Sequence, residues 1–99
     1  PVLPASGLVE ATAQLYRQSR ASAHAAGMLR EAFRVRATRR LGVPGDAEDR
    51  WAAEVGAAAG VDEAEVREAM ETPAEPNERQ LVTVARRLEE LERRIEGGP

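Results

Sequence analysis

Apolar positions along this chain recur at helical spacing, and no stretch alternates as a strand would. Leu8, Thr12, Leu15, Ser19, Ser22, Ala26, Leu29 and Phe33 follow one another by four and three residues, which lays one seam along a helix over residues 7–41. The middle of that seam is built from Ser19, Ser22, Ala23 and Ala26, so a partner helix can approach closely there. Gly27 leaves open whether residues 7–41 form one helix or two. Residues 1–5 read as an extended lead-in, because Pro4 disfavours helix in the residue before it, and Ser6 is the expected N-cap. Gly42, followed by Pro44, ends the element.

Three shorter patterns follow. Asp46 is the expected cap of a second helix that turns Trp51, Val55 and Ala58 or Ala59 inward and closes at Gly60. Asp62 and Glu65 form a D-x-x-E capping box for a third helix, with Val61 and Val66 at the staple positions and Val66, Ala69 and Met70 on its apolar face. Thr72–Pro76 reads as a loop. Asn77, with Gln80 three residues on, caps a long last helix whose Leu81, Val84, Leu88, Leu91 and Ile95 repeat by three and four. Glu89 with Arg93 and Glu90 with Arg94 are i,i+4 pairs on its outer face. The seam is short, so packing inside a bundle is favoured over an independent coiled coil, although pairing with a second copy through it stays open. The expected architecture is all-α. One domain over residues 1–99 forms a compact bundle of three to five helices, with a helix-turn-helix-like corner, a long C-terminal helix and a flexible end at residues 97–99.

Composition narrows the chemistry. At 99 residues the chain is one domain with a modest core, and Tyr16, Phe33 and Trp51 are its only aromatics. There is no cysteine, which excludes disulfides, thiolate catalysis and zinc–thiolate sites. No run of ~18 apolar residues is present to span a membrane. All fourteen basic residues are arginine, a bias expected from a GC-rich genome.

Charge is unevenly spread. Residues 1–45 hold seven Arg against two Glu, residues 46–78 hold eleven acids against two Arg, and residues 79–99 hold five Arg against four Glu. The simpler account is that the acidic middle packs beside the basic first segment; the other is two surfaces for two partners.

Candidate chemistry is sparse. His24 is the single histidine and has no acid at i±3 or i±4, so it is expected to be structural or exposed. Ser6, Ser19 and Ser22 lack a base. The acids of residues 46–78 sit at helix starts, where capping and the helix dipole explain them without a metal. No cofactor, metal or catalytic residue is expected, and the chain reads as a non-enzyme. The candidate partner-binding residues are Arg17, Arg20, Arg30 and Arg34 on the first helix and Glu65 and Glu68 on the third.

The stretch from Val55 to Met70, a helix followed by Ala59-Gly60-Val61, an N-cap and a second helix, resembles helix-turn-helix regulators. Its would-be recognition helix carries Asp62, Glu63, Glu65, Glu68 and Glu71 against Arg67, a charge that phosphate repels. Nucleic-acid binding is therefore the alternative reading.

A second resemblance covers nearly the whole chain. Glu10-x4-Leu15-Tyr16-Arg17-x2-Arg20, Ala25-Ala26-x2-Leu29-Arg30, Arg39-Arg40-Leu41-Gly42-Val43-Pro44, the stretch Val55 to Arg67, and Leu81-Val82-x2-Ala85-Arg86-x-Leu88-x2-Leu91-Glu92 are similar to the C-terminal tail of a bacterial membrane-protein family of unknown function. In that family the tail follows an extracytoplasmic domain and a spanning helix, and the genes often neighbour MoxR-type AAA+ ATPases and von Willebrand factor A-like proteins. The resemblance implies a fragment of a longer protein, on the cytoplasmic side of the cell membrane, that contacts a protein partner such as the MoxR-type ATPase. It implies no catalytic residues.

Overall fold

The computed structural model describes residues 5–43, 48–72 and 77–97, and every regular element among them is helical. The helices are α1 (Ala5–Leu41), α2 (Glu48–Ala59), α3 (Glu63–Met70) and α4 (Glu78–Gly97). The expectations for residues 1–4, for Asp46 as a cap, and for residues 98–99 lie outside the described residues.

α1 is one unbroken helix of 37 residues, so Gly27 does not divide it. It begins at Ala5, which places Ser6 inside the helix instead of at its cap, and Ala5 inside it instead of in an extended lead-in. At 1.5 Å per residue α1 is about 56 Å long, which accounts for the 58 Å long axis of the molecule against 23 and 19 Å across.

α1 and α4 run parallel. Arg36 meets Glu92 and Arg40 reaches the Glu96 carbonyl, at one constant offset along the two helices. Near the other end, Leu15–Ala25 of α1 and the start of α4, from its cap Asn77 to Leu81, face each other across an open groove. A parallel pair needs a crossover, and α2 and α3 supply it, packed on each other and on α4.

The core fills the space between these helices: Ala26, Phe33 and Ala37 from α1, Trp51, Val55 and Ala59 from α2, Val66 and Ala69 from α3, and Val84, Leu88, Leu91 and Ile95 from α4. The α4 seam is thus spent inside the chain's own core. That removes it as the surface for pairing with a second copy. Trp51 and Phe33 are each 1% exposed and meet edge to face, with centroids 6.1 Å apart and planes at 83°. The Trp51 indole N–H donates to Thr38 Oγ1 at 3.0 Å, so its polar end is satisfied.

Local signals are met in part. Gly42 and Gly60 stand just past α1 and α2 with φ of 67° and 74°, the left-handed cap that glycine adopts without strain. Asn77 Oδ1 accepts from the Gln80 N–H at 2.9 Å, as its spacing predicts. Asp62 occupies the N-cap of α3 in extended conformation, but its side chain makes no capping bond. The Glu65 N–H bonds the Asp62 carbonyl at 3.0 Å instead, so the reciprocal capping box is not formed. The staple pair fares better: Val66 is fully buried, and Val61 packs partly buried against the same core.

The first five turns of α1 project beyond the start of α4. On them Leu8 is 58%, Val9 67%, Leu15 67% and Tyr16 63% exposed. The seam that buries Ala26, Phe33 and Ala37 runs on through this arm without a covering helix from the same chain among the described residues.

Candidate functional site

The four arginines expected on one exposed side of α1 are split by the fold. Arg17 and Arg20 are exposed on the arm; Arg17 donates to Gln14 Oε1 at 3.0 Å, and the Arg20 guanidinium stands 5.7 Å from the centre of the Tyr16 ring. Arg30 and Arg34 are half-buried. Arg34 lies over the Trp51 ring at 4.4 Å, a cation–π contact that closes the outer side of the core. Arg30 Nη2 donates to Thr72 Oγ1 at 3.4 Å, and its Nη1 is buried without a hydrogen-bond partner. The reason for the split is helical geometry. Residues 30, 33, 34 and 37 share the side of α1 that meets α2 and the segment before α4, and there the long arginine stems cover apolar surface.

Glu65 and Glu68 lie exposed on α3, as expected, and face a wall of α4 that the sequence did not single out. Val61, Ala69 and Leu91 floor an open groove of about 510 Å³ between the two helices, with Glu65 and Glu68 along one side and Arg86, Arg87, Glu90 and Arg94 along the other. Arg87 Nη1 stands 3.4 Å from Glu68 Oε1 across it. Glu90 accepts from Arg94 Nε at 3.1 Å and from Arg93, and these contacts hold its carboxyl below the usual carboxylate range, the Arg94 hydrogen bond contributing most. The signal for this wall was present in the sequence: Arg87, Glu90 and Arg94 follow by three and four on the side of α4 that flanks its Val84–Leu88–Leu91 seam.

α4 also carries the charge contacts to its neighbours. Arg36 binds Glu92 with two N–H groups, Nε to Oε1 and Nη2 to Oε2 at 3.1 Å, and this carboxylate pushes the Arg36 pKa up. The basic first helix and the acidic third helix are therefore each joined to the mixed-charge fourth helix.

The α2–α3 corner is as tight as the helix-turn-helix pattern implies. The Val61 N–H bonds the Gly56 carbonyl at 2.9 Å. A Cβ on Gly56 would come within 2.8 Å of the Val61 carbonyl oxygen, so the turn closes against a bare backbone. Beyond it, the eight-residue α3 presents Glu63, Glu65 and Glu68 to solvent, with Glu71 just after its end.

His24 is exposed on α1. Among the described residues no three His, Asp or Glu side chains converge as metal ligands, and no helix is long and apolar enough to cross a membrane. Comparison with protein-family models, with curated proteins and with solved structures gives no match for this chain.

Proposed function

We propose that this chain is a non-catalytic protein-interaction domain that receives its partner in the α3–α4 groove. The observation that carries the reading is the pairing, in one open groove, of an apolar floor (Val61, Ala69, Leu91) with a carboxylate rim (Glu65, Glu68) and a guanidinium rim (Arg86, Arg87, Arg94). An apolar floor supplies area, and rims of opposite sign fix the orientation of what binds. A helix with a narrow apolar stripe flanked by charges of both signs is the occupant such a groove suits. Following the family resemblance, the domain is the cytoplasmic part of a bacterial membrane protein, and a MoxR-type AAA+ ATPase is the partner to test.

Calorimetry of the folded domain against that ATPase, with and without nucleotide, is the deciding measurement. Saturable binding that weakens at least ten-fold in Glu65→Arg/Glu68→Arg, with helicity unchanged, supports the reading. Binding that ignores the groove charges, or no binding by a folded domain, removes it.

The tight α2–α3 corner favours a second reading, a helix-turn-helix domain on duplex DNA. The carboxylates on α3 oppose it, because that helix would face a high density of phosphate. A gel shift at low salt that is lost steeply as salt rises would revive this reading; its absence ends it.

A further inference from the structure

We infer that Thr72 is a phosphorylation site and that the Arg30 guanidinium is built to receive its phosphoryl group. Neither residue lines the α3–α4 groove, so the inference does not rest on the partner reading.

Among the described residues Thr72 is the one hydroxyl side chain outside a helix, and it is exposed. The other threonine hydroxyls are engaged within helices: Thr12 and Thr83 donate to carbonyls four residues back, and Thr38 accepts from Trp51. The backbone at Thr72 also suits an enzyme's cleft. α3 ends at Met70, and Glu71 turns out of the helix with φ −80° and ψ 148°. Pro73 follows Thr72 in the sequence and disfavours helical backbone at residue 72. An exposed hydroxyl on extended backbone between two helices is open to a modifying enzyme without unfolding either helix.

The receiver stands on α1. The Arg30 guanidinium lies back towards Gly27, its Nη2 only 3.9 Å from where a Cβ on that glycine would stand. Nη2 donates to Thr72 Oγ1 at 3.4 Å, a long contact. Nη1 is buried and has no hydrogen-bond partner, a costly state for a charged donor. One hydroxyl oxygen does not serve both arms of the fork. A phosphoryl group on that same oxygen brings three acceptor oxygens and a charge of about −2, and guanidinium with phosphate is a bidentate match.

The surroundings make the receiver necessary. Thr72 stands just past the C-terminal end of α3 and follows Glu68 and Glu71. A dianion there is repelled by both carboxylates and by the negative end of the helix. Arg30 is the cation at this hydroxyl. With it, phosphorylation fastens the chain after α3 onto α1; without it, the same charge loosens that connection.

The transfer is the ordinary one of a protein kinase with a nucleoside triphosphate. Thr72 Oγ1 forms a bond to the γ-phosphorus, and the bond from that phosphorus to the β–γ bridging oxygen breaks. The hydroxyl proton passes to the kinase's carboxylate base, and the nucleoside diphosphate leaves with the electron pair.

The sequence makes the site easy to read. Cleavage after Arg67 and Arg79 releases peptide 68–79, in which Thr72 is the only hydroxyl residue. Mass spectrometry of the protein isolated from its own cells, growing and stationary, is expected to find that peptide with one phosphoryl group. Its absence from both overturns the site. The receiver is tested on the whole chain produced with phosphothreonine at position 72, by urea titration followed through Trp51 fluorescence. Phosphorylation is expected to raise the folding equilibrium constant about ten-fold. In Arg30→Gln it is expected to lower that constant about three-fold. Arg30→Lys, which keeps the charge and a long apolar stem but not the fork, is expected to keep a gain of about two-fold. A phosphorylated chain no more stable than the unmodified one overturns Arg30 as the receiver, and so does a full gain that survives Arg30→Gln. No partner enters these measurements, so failure of the partner reading and failure of this one are read separately.

Discussion

Two glycines in helices show how one residue type meets opposite demands. Gly27 lies mid-helix in α1, where a Cβ would meet nothing closer than Arg30 Nη2 at 3.9 Å. Gly27→Ala therefore gains helix propensity at no steric cost and is expected to stabilise the domain by about 0.5–1 kcal/mol. Gly56 lies in α2, where a Cβ would stand 2.8 Å from the Val61 carbonyl oxygen and 3.3 Å from the Glu63 nitrogen. These are backbone atoms of the corner and cannot turn aside, so Gly56→Ala is expected to destabilise by about 1–3 kcal/mol despite the same propensity gain. Urea titration of both variants checks the pair; two shifts of the same sign would mean the corner is looser than its geometry. Trp51 is the other residue on which the fold turns. It is buried against Phe33, bonded to Thr38 and covered by Arg34. Trp51→Ala is expected to cost about 3–5 kcal/mol, much of the stability of a domain this size.

At the scale of the helix, periodicity was legible wherever an element buries one face in its own chain. The Val84–Ile95 seam of α4 and the Trp51, Val55 and Ala59 face of α2 read directly from spacing, because burial in the core is what the spacing encodes. The seam of α1 was legible as a seam, but not where it would be covered: period alone does not say where the next helix starts alongside. Leu29 and Arg30 show a finer failure. Leu29 falls on the seam by spacing yet is 39% exposed, while Arg30 turns inward with its guanidinium on Thr72. Arginine has a long apolar stem and a charged tip, so pattern reading by residue class assigns it to the wrong side. The groove rims were half legible. Glu65 and Glu68 stood out as an acid cluster, whereas Arg86, Arg87 and Arg94 were hidden among charges with an ordinary helix-surface reading. Glu90 gives α4 a testable acid response. Its folded carboxyl is held below the ordinary value, so the stabilisation by Arg94 and Arg93 is fully present above about pH 4.3 and is lost as pH falls through the lower folded value. Helicity is expected to be flat from neutral pH to about pH 4.3 and to fall below that, with a shallower acid limb in Glu90→Gln. An acid limb identical in the variant would detach Glu90 from it.

The whole molecule is longer than its length in residues calls for. A compact chain of about 100 residues has a radius of gyration near 13 Å, whereas this one has 17.4 Å. The excess is the arm. A helix without tertiary support is marginal at about 15 residues, because it must bear the cost of nucleation alone. The arm escapes that cost, since α1 is already nucleated by its packed half from Ala26 to Leu41 and needs only to propagate outward through residues of good propensity such as Ala11, Ala13, Gln14 and Leu15. Among the described residues the core ends at Ala26, and none of the arm side chains from Gly7 onward is buried in it. Removing residues 1–20 is therefore expected to change the unfolding free energy of the monomer by less than about 0.5 kcal/mol and to leave the urea slope nearly unaltered, because little apolar area is lost from the folded state. The same truncation is expected to spare partner binding at the α3–α4 groove. Urea denaturation of the truncated chain, followed by calorimetry against the partner, reads these two effects separately. A truncated chain that unfolds at markedly lower urea even when dilute would make the arm part of the fold. A truncated chain as stable as the parent would make the arm a helical extension that propagates from the packed half of α1 and that the core does not need.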